Sequence, residues 1–257
     1  VRRAASEFRG RVHKYLQDRL SEGPIHLTLI DPDKVLGGGM TAGDVREVAK
    51  ALAEAGTDAF LVGGSIGVSE SSVDHVVSML RPAGLPIILF PGNLTGISRE
   101  ADAILFLTLL NSDDPYFIVG AQVLAAPIIL RYGLEALPTA YIIVGYGGAA
   151  GYVGRARPIP YDRPELVAAH VLAARYMGMK YAYLEAGSGA PKPIPPEAIE
   201  AAAKVKGEVT LIVGGGIRRP EQAKEAINAG ADAIVTGTVV EKDPMQAGEV
   251  VRAIKRK

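Results

Sequence analysis

Hydrophobic positions along this chain fall into short blocks whose period keeps changing. Across residues 2 to 20, Phe8, Val12, Tyr15, Leu16 and Leu20 recur at three- and four-residue spacing with Arg, Lys, Gln and Asp between them, which predicts an amphipathic helix. After Ser21-Glu22-Gly23-Pro24 the run His26-Leu27-Thr28-Leu29-Ile30 is apolar and is stopped by Asp31-Pro32-Asp33, a strand entering a loop. A helix carrying Val45, Val48, Ala49 and Leu52 then ends at Ala55-Gly56, and a strand follows at once. Further strands are expected at 85–90, 103–107, 140–144, 181–184 and 209–213, and helices at 115–130, 164–177, 195–206, 220–229 and 244–255. Several of these helices open on Pro, which suits a first helical turn.

A repeat sharpens the pattern. Ala55-Gly56-Thr57-Asp58-Ala59-Phe60-Leu61-Val62-Gly63-Gly64 resembles Ala229-Gly230-Ala231-Asp232-Ala233-Ile234-Val235-Thr236-Gly237: in both, a glycine ending a helix leads into a strand that closes on a glycine-bearing loop. With these two strands and the first, about eight continuous apolar strands alternate with helices, as in a parallel sheet covered on both faces. In 257 residues that number favours closure into a (β/α)8 TIM barrel, one α/β domain spanning 1–257 behind an N-terminal amphipathic helix. Two segments break the alternation. Residues 91–100 read as a loop where a helix should follow the third strand, and 145–160 is long and rich in Gly and Pro; both are expected to form lids or substrate walls.

Composition then removes whole classes of function. The 48% apolar and 22% charged residues are those of a globular protein, and 28 Lys and Arg balance 28 Asp and Glu, so no nucleic-acid partner is implied. With no Cys there are no disulfides, thiolate metal sites or Cys nucleophiles, which fits a reducing, cytoplasmic setting. The longest apolar stretches, 101–110 and 136–144, are far below the roughly 18 to 20 residues of a membrane span. The start of the chain, with Arg2, Arg3, Glu7 and Arg9, lacks the apolar core of a secretion signal.

The candidate chemistry lies at strand ends. Tyr183-Leu184-Glu185-Ala186-Gly187-Ser188-Gly189 closes an apolar strand with one carboxylate and a glycine-rich turn. Glu185 reads either as a base beside an anion cradle or as a structural carboxylate, and the glycines either approach an anion or only shape the loop. Gly214-Gly215-Gly216-Ile217 after the seventh strand and Gly237-Thr238 after the eighth stand where barrels of this kind commonly bind phosphate through backbone N–H groups. Asp31 and Asp33 follow the first strand and read either as turn residues or as Mg²⁺ ligands, with Ser65 after the second strand able to add a hydroxyl. His13, His26, His75 and His170 show no metal-ligand spacing, and Ser188 has no assignable base. Phe90, Leu94, Leu109, Leu110, Tyr116 and Phe117 form either a greasy channel or ordinary packing. A metal site and a monophosphate site at one barrel mouth suggest two phosphorylated substrates. Another phosphate-binding barrel, an isomerase or lyase, or a non-catalytic phosphate binder fits the glycine loops equally well.

As an ordered set, Leu29-Ile30-Asp31-Pro32-Asp33-Lys34, Gly63-Gly64-Ser65, Leu110-Asn111-Ser112, the 183–189 run, Gly214-Gly215-Gly216-Ile217 and Gly237-Thr238 resemble the geranylgeranylglyceryl phosphate synthase family. Pro91-Gly92-Asn93 and the stretch from Gly151-Tyr152-Val153-Gly154 to Pro158-Ile159-Pro160 look like its larger archaeal branch rather than the related bacterial heptaprenylglyceryl phosphate synthases. The resemblance implies transfer of a geranylgeranyl group from its diphosphate to the 3-hydroxyl of sn-glycerol 1-phosphate, the first ether bond of archaeal membrane lipids. Mg²⁺ on Asp31 and Ser65 is implied with it. Tyr183, Leu184, Glu185, Ala186, Gly187, Ser188, Gly189, Gly215, Gly216, Gly237 and Thr238 would hold glycerol phosphate, with Glu185 catalytic. A homo-oligomer, up to a hexamer, and transient membrane contact are further expectations. The bacterial branch carries a Lys two residues before the first Asp; here that residue is Leu29, which leaves the diphosphate charge to be met elsewhere.

Overall fold

The computed structural model describes residues 7–39 and 41–255. Among these, the elements run α1 (Val12–Glu22), β1 (Ile25–Ile30), α2 (Pro32–Lys34), α3 (Ala42–Ala55), β2 (Ala59–Val62), α4 (Glu70–Leu80), β3 (Ile87–Leu89), β4 (Ala103–Leu109), α5 (Ala121–Tyr132), β5 (Glu135–Ile143), α6 (Gly148–Val153), α7 (Pro164–Tyr176), β6 (Tyr181–Glu185), α8 (Pro196–Ala203), β7 (Thr210–Gly214), α9 (Pro220–Asn228), β8 (Ala233–Thr236), α10 (Thr238–Lys242) and α11 (Pro244–Lys255). Neighbouring strands pair in parallel, and β8 closes on β1 with Leu27 opposite Val235, so the sheet is a (β/α)8 barrel.

Strand alternation divides the core. Tyr181 and Tyr183 of β6 point into the barrel beside Leu27, Leu61, Ile88 and Leu105, whereas Ala182 and Leu184 pack outward against the helix layer with Val171 and Ile199. The same period carries β1 through Ile25, Leu27 and Leu29 to Asp31, and β6 to Glu185. Both carboxylates thus emerge at the C-terminal mouth because of their parity along the strand.

The opposite end is sealed by α1, whose Val12 and Leu16 are buried against the inner core. This helix begins at Val12, later than the apolar spacing suggested; residues 2–6 of that expected helix lie outside the described residues. Its first N–H groups are met by the Glu135 carboxylate, at 2.6 Å from Val12 and 3.2 Å from His13. Strand β5 starts at Glu135, five residues before the expected apolar run, because Glu135, Pro138 and Thr139 interrupt the hydrophobic signal without interrupting the ladder. The expected 115–130 helix is a π-helical turn over Tyr116–Gly120 followed by α5. Helix α4, with Val73, Val76, Val77 and Leu80 at helical spacing, adds to the expected elements.

Below β1, Asp58 accepts hydrogen bonds from Arg19 Nε (3.0 Å), Lys255 Nζ (2.5 Å) and the His26 backbone (2.8 Å), joining α1, β1 and α11. The His26 ring lies between the hydroxyls of Thr57 and Thr236, at 2.7 and 2.9 Å. Burial, reinforced by the nearby Lys255 ammonium, lowers its pKa to about 3. An unfolded chain protonates His26 below about pH 6.5 while the folded one does not. Stability is therefore expected to fall between about pH 6.5 and pH 3, by up to roughly 1.4 kcal/mol per pH unit from this residue. Urea midpoints from pH 7 to pH 4 test this: His26→Gln should show a shallower decline than the wild type, and parallel declines would contradict it.

Candidate active site

The loops after β6, β7 and β8 converge on a pocket lined by Ser188, Gly189, Gly215, Gly216, Gly237 and Thr238, with Tyr183, Glu185 and Leu29 at its base. Gly215 and Gly216 have φ of 82° and 73°, and neither could carry a side chain there. A Cβ on Gly215 would sit 2.5 Å from Glu185 Oε1 and 2.7 Å from the Gly187 nitrogen; one on Gly216 would sit 2.6 Å from the Lys192 carbonyl oxygen. Ser188 and Thr238 meet through their hydroxyls at 3.3 Å, tying the sixth loop to the eighth. Arg218, which the motifs did not single out, lines the same pocket and donates to the Ala190 carbonyl at 2.6 Å. A concave wall of exposed backbone with one guanidinium suits a phosphate.

Three residues of the expected set do not line this pocket. Leu184 and Ala186 are fully buried in the outer core, and the Ala186 N–H and carbonyl are already bonded to Gly214 and Gly147. The parity of the strand turns their side chains away from the pocket. The Gly187 N–H is not free for a ligand either: it donates to Glu185 Oε1 at 2.6 Å.

Glu185 is buried, and removal from water raises its pKa. Three donors oppose that shift: the Gly187 N–H and the hydroxyls of Tyr183 and Tyr141. The two tyrosines pack edge to face with ring centroids 5.4 Å apart, and Phe90 stacks on Tyr183 at 5.3 Å. Burial and the neighbouring carboxylate push both phenols well above their ordinary value, so they act as donors and not as bases. The result is a carboxylate held in one orientation with basicity above that of an exposed glutamate, as a general base near neutral pH requires. Tyr141 also escaped sequence reading, although its parity on β5 marks it as inward-facing.

A second pocket adjoins the first, sharing Leu29, Glu185, Ser188, Gly237 and Thr238, and adds Asp31, Lys34, Ser65 and Glu241. Asp31 Oδ1 accepts the Asp33 N–H at 3.1 Å, so Asp33 serves the turn and stays exposed. A Cβ on Gly64 would fall 2.4 Å from Asp31 Oδ1: the missing side chain lets the second-strand loop come against the carboxylate. Burial raises the Asp31 pKa, with the Lys34 ammonium opposing it. Among the described residues no group of three or more His, Cys, Asp or Glu forms a metal cage. One carboxylate beside a hydroxyl in an open pocket nonetheless fits Mg²⁺, which binds through one or two carboxylates and completes its shell with water and substrate phosphate. Glu241, from the five-residue α10, gave no sequence signal because only the fold brings it opposite Asp31.

Beyond Ser65 this pocket opens into an apolar groove of about 820 Å³, open mouth included. Its origin is the helix absent between β3 and β4, where only a 3₁₀ turn at Leu94–Gly96 forms. The outer face of β4, with Ile104 and Phe106, is covered instead by Leu94, Ile97 and α5 at a distance that leaves space. Leu94, Leu109, Tyr116 and Phe117 line the groove as the greasy-channel reading required. Leu110 does not, since it faces the outer core near β5, and Phe90 lines the Asp31 pocket. Asn111 is a clip: its amide donates to the carbonyls of Ile143 and Arg157 at 2.9 and 2.8 Å, fastening the 145–160 segment over β4 and β5. No helix among the described residues is long and apolar enough to cross a membrane.

The PcrB family model matches residues 15–256. The geranylgeranylglyceryl phosphate synthase of Aeropyrum pernix is 56% identical over 253 residues, covering 96% of this chain and 98% of the relative. That of Sulfolobus acidocaldarius is 51% identical over 250 residues, covering 97% and 96%. The crystal structure of (S)-3-O-geranylgeranylglyceryl phosphate synthase from Thermoplasma acidophilum, in complex with its substrate sn-glycerol-1-phosphate, superimposes with a TM-score of 0.86 at 36% identity, covering 93% of this chain and 96% of that one.

The contact between the sixth and seventh loops predicts a stability effect. Gly215→Ala forces a methyl group into the Glu185 carboxylate at positive φ and is expected to cost roughly 2 to 4 kcal/mol in urea unfolding. A loss below about 0.5 kcal/mol, the range of ordinary surface substitutions, would show that the two loops do not constrain each other.

Proposed function

Because this chain belongs to the PcrB family, we propose that it transfers the geranylgeranyl group of geranylgeranyl diphosphate to the 3-hydroxyl of sn-glycerol 1-phosphate. It is a prenyltransferase of the geranylgeranylglyceryl phosphate synthase type. The observation that carries the substrate assignment is the order of three adjoining compartments: a glycine-lined phosphate pocket, a carboxylate pocket at Asp31, and an apolar groove that begins at Ser65. A glycerol phosphate, a diphosphate and a long hydrocarbon fit them in that order. An isomerase or lyase of the same fold has no use for the groove.

Glycerol phosphate would sit with its phosphate against Ser188, Gly189, Gly215, Gly216, Gly237 and Thr238, with Arg218 adding charge. Its hydroxyl end would lie toward Tyr183 and Glu185, where Glu185 accepts the proton as the glycerol oxygen bonds to the allylic carbon. The carbon–oxygen bond to diphosphate breaks in the same step, and its electron pair leaves with diphosphate. Fixing both partners at one mouth supplies much of the rate, since the reaction becomes effectively unimolecular. Asp31 and Ser65 would hold Mg²⁺, which when bound stabilises charge on the departing diphosphate. The groove keeps the prenyl chain and its reacting end away from water.

Glu185→Gln is expected to lower turnover about 10² to 10⁴-fold, the usual worth of a general base, while leaving glycerol phosphate affinity nearly intact. Near wild-type turnover in an assay with geranylgeranyl diphosphate and each glycerol phosphate enantiomer would remove Glu185 from this role. The pH profile gives an independent measure. Burial puts the acidic limb of kcat above the ordinary glutamate range, and Tyr141→Phe, by deleting a donor to the charged form, should move that limb further up. A limb that stays in place or moves down would contradict the assignment.

A further inference from the structure

The Asp31 pocket has an unresolved charge balance. Asp31 and Glu241 face it, Glu185 lies at its inner edge, and a diphosphate would add several more negative charges at short range. Leu29 occupies the floor as an apolar side chain. Among the described residues lining this pocket, Lys34 is the one cation. Its Nζ is 3.0 Å from both Glu241 carboxylate oxygens and 3.8 Å from Asp31 Oδ2.

Three features make this lysine more than a surface ion pair. It projects from α2, directly after the strand end that carries Asp31, while Glu241 projects from α10, directly after the phosphate loop Gly237-Thr238. The ammonium therefore stands in the carboxylate pocket, which shares Gly237 and Thr238 with the glycine-lined pocket. The Lys34 side chain is 43% exposed, so its pair with Glu241 is weakly held and easily exchanged. A lysine on a flexible four-carbon stem is also a good point-charge ligand for phosphate oxygens.

We propose that Lys34 is the diphosphate-binding cation of this site and that Glu241 is its resting partner, surrendering the ammonium to the diphosphate oxygens when the allylic substrate enters and taking it back as diphosphate leaves. This inference rests on the prenyl-diphosphate reading above. It assigns to Lys34 the charge that a lysine in place of Leu29 would otherwise supply. Glu241 becomes a positioning residue that competes with the diphosphate, so removing its charge and removing the lysine must act in opposite directions.

The test is calorimetric titration of the whole protein with inorganic pyrophosphate in the presence of Mg²⁺, with sn-glycerol 1-phosphate titrated in parallel. Lys34→Met is expected to weaken pyrophosphate binding at least about ten-fold, Lys34→Arg to retain it within about three-fold, and Glu241→Gln to tighten it about two- to five-fold. Glycerol phosphate affinity should stay within about two-fold in all three variants, a readout that general damage to the barrel mouth would move. Thermal melts confirm that each variant is folded. Unchanged pyrophosphate affinity in Lys34→Met, or Lys34→Met and Glu241→Gln shifting in the same direction as a purely structural ion pair would, overturns the proposal while leaving the prenyltransferase reading intact. A wild-type protein that binds glycerol phosphate but no pyrophosphate with Mg²⁺ overturns both.

Discussion

A carboxylate at the end of a barrel core loses its hydration, and it persists as an anion only if fixed donors replace that water. Glu185 is in that position, and much of the mouth can be understood as the set of groups that make it tolerable. The Gly187 N–H turns back to it, which requires the sixth loop to reverse immediately after β6. Tyr183 and Tyr141 bring hydroxyls from β6 and β5, and Phe90 fixes their rings from beyond β3. Gly215 lacks a side chain because the carboxylate already fills the space. The groups that hold the charge also define where a substrate hydroxyl could approach it.

The remainder of the site follows from two irregularities in an otherwise regular barrel. The connection between β3 and β4 forgoes a helix, and the uncovered outer face of β4 becomes one wall of the apolar groove. The connection after β5 is long, folds back over the sixth loop through Gly147 and Gly148, and is fastened by Asn111. These irregular connections add function at the C-terminal face, while the opposite face is closed by α1 and by the Asp58 cluster. Stability and chemistry are thereby placed at opposite ends of the same strands.

Electrostatically the mouth is graded. The glycine-lined pocket offers backbone and Arg218; the next pocket carries the carboxylates of Asp31 and Glu241 with Lys34 between them; the groove carries almost no charge. On the proposed reading such an order would separate two phosphorylated ligands that otherwise repel each other and present the hydrocarbon only to apolar walls. On the same reading Lys34, one helical turn beyond Asp31, carries the positive charge that Leu29 does not.

Much of this architecture was already legible in the chain. Short apolar blocks alternating with helical spacing gave the barrel, the glycine loops ended the right strands, and the missing helix after the third strand was visible as an aperiodic stretch. Local signals suffice there because a strand's parity and a glycine's freedom are properties of a few consecutive residues. What they could not supply were pairings across the mouth. One donor to Glu185, the Tyr141 hydroxyl, comes from a strand more than forty residues away, Glu241 meets Lys34 across more than two hundred residues, and parity places Leu184, Ala186 and Leu110 in the outer core. The sequence by itself determined where strands end and where glycine loops follow them; closure of the sheet, which sets strands distant in sequence side by side, decided which side chains share the mouth and which of them touch.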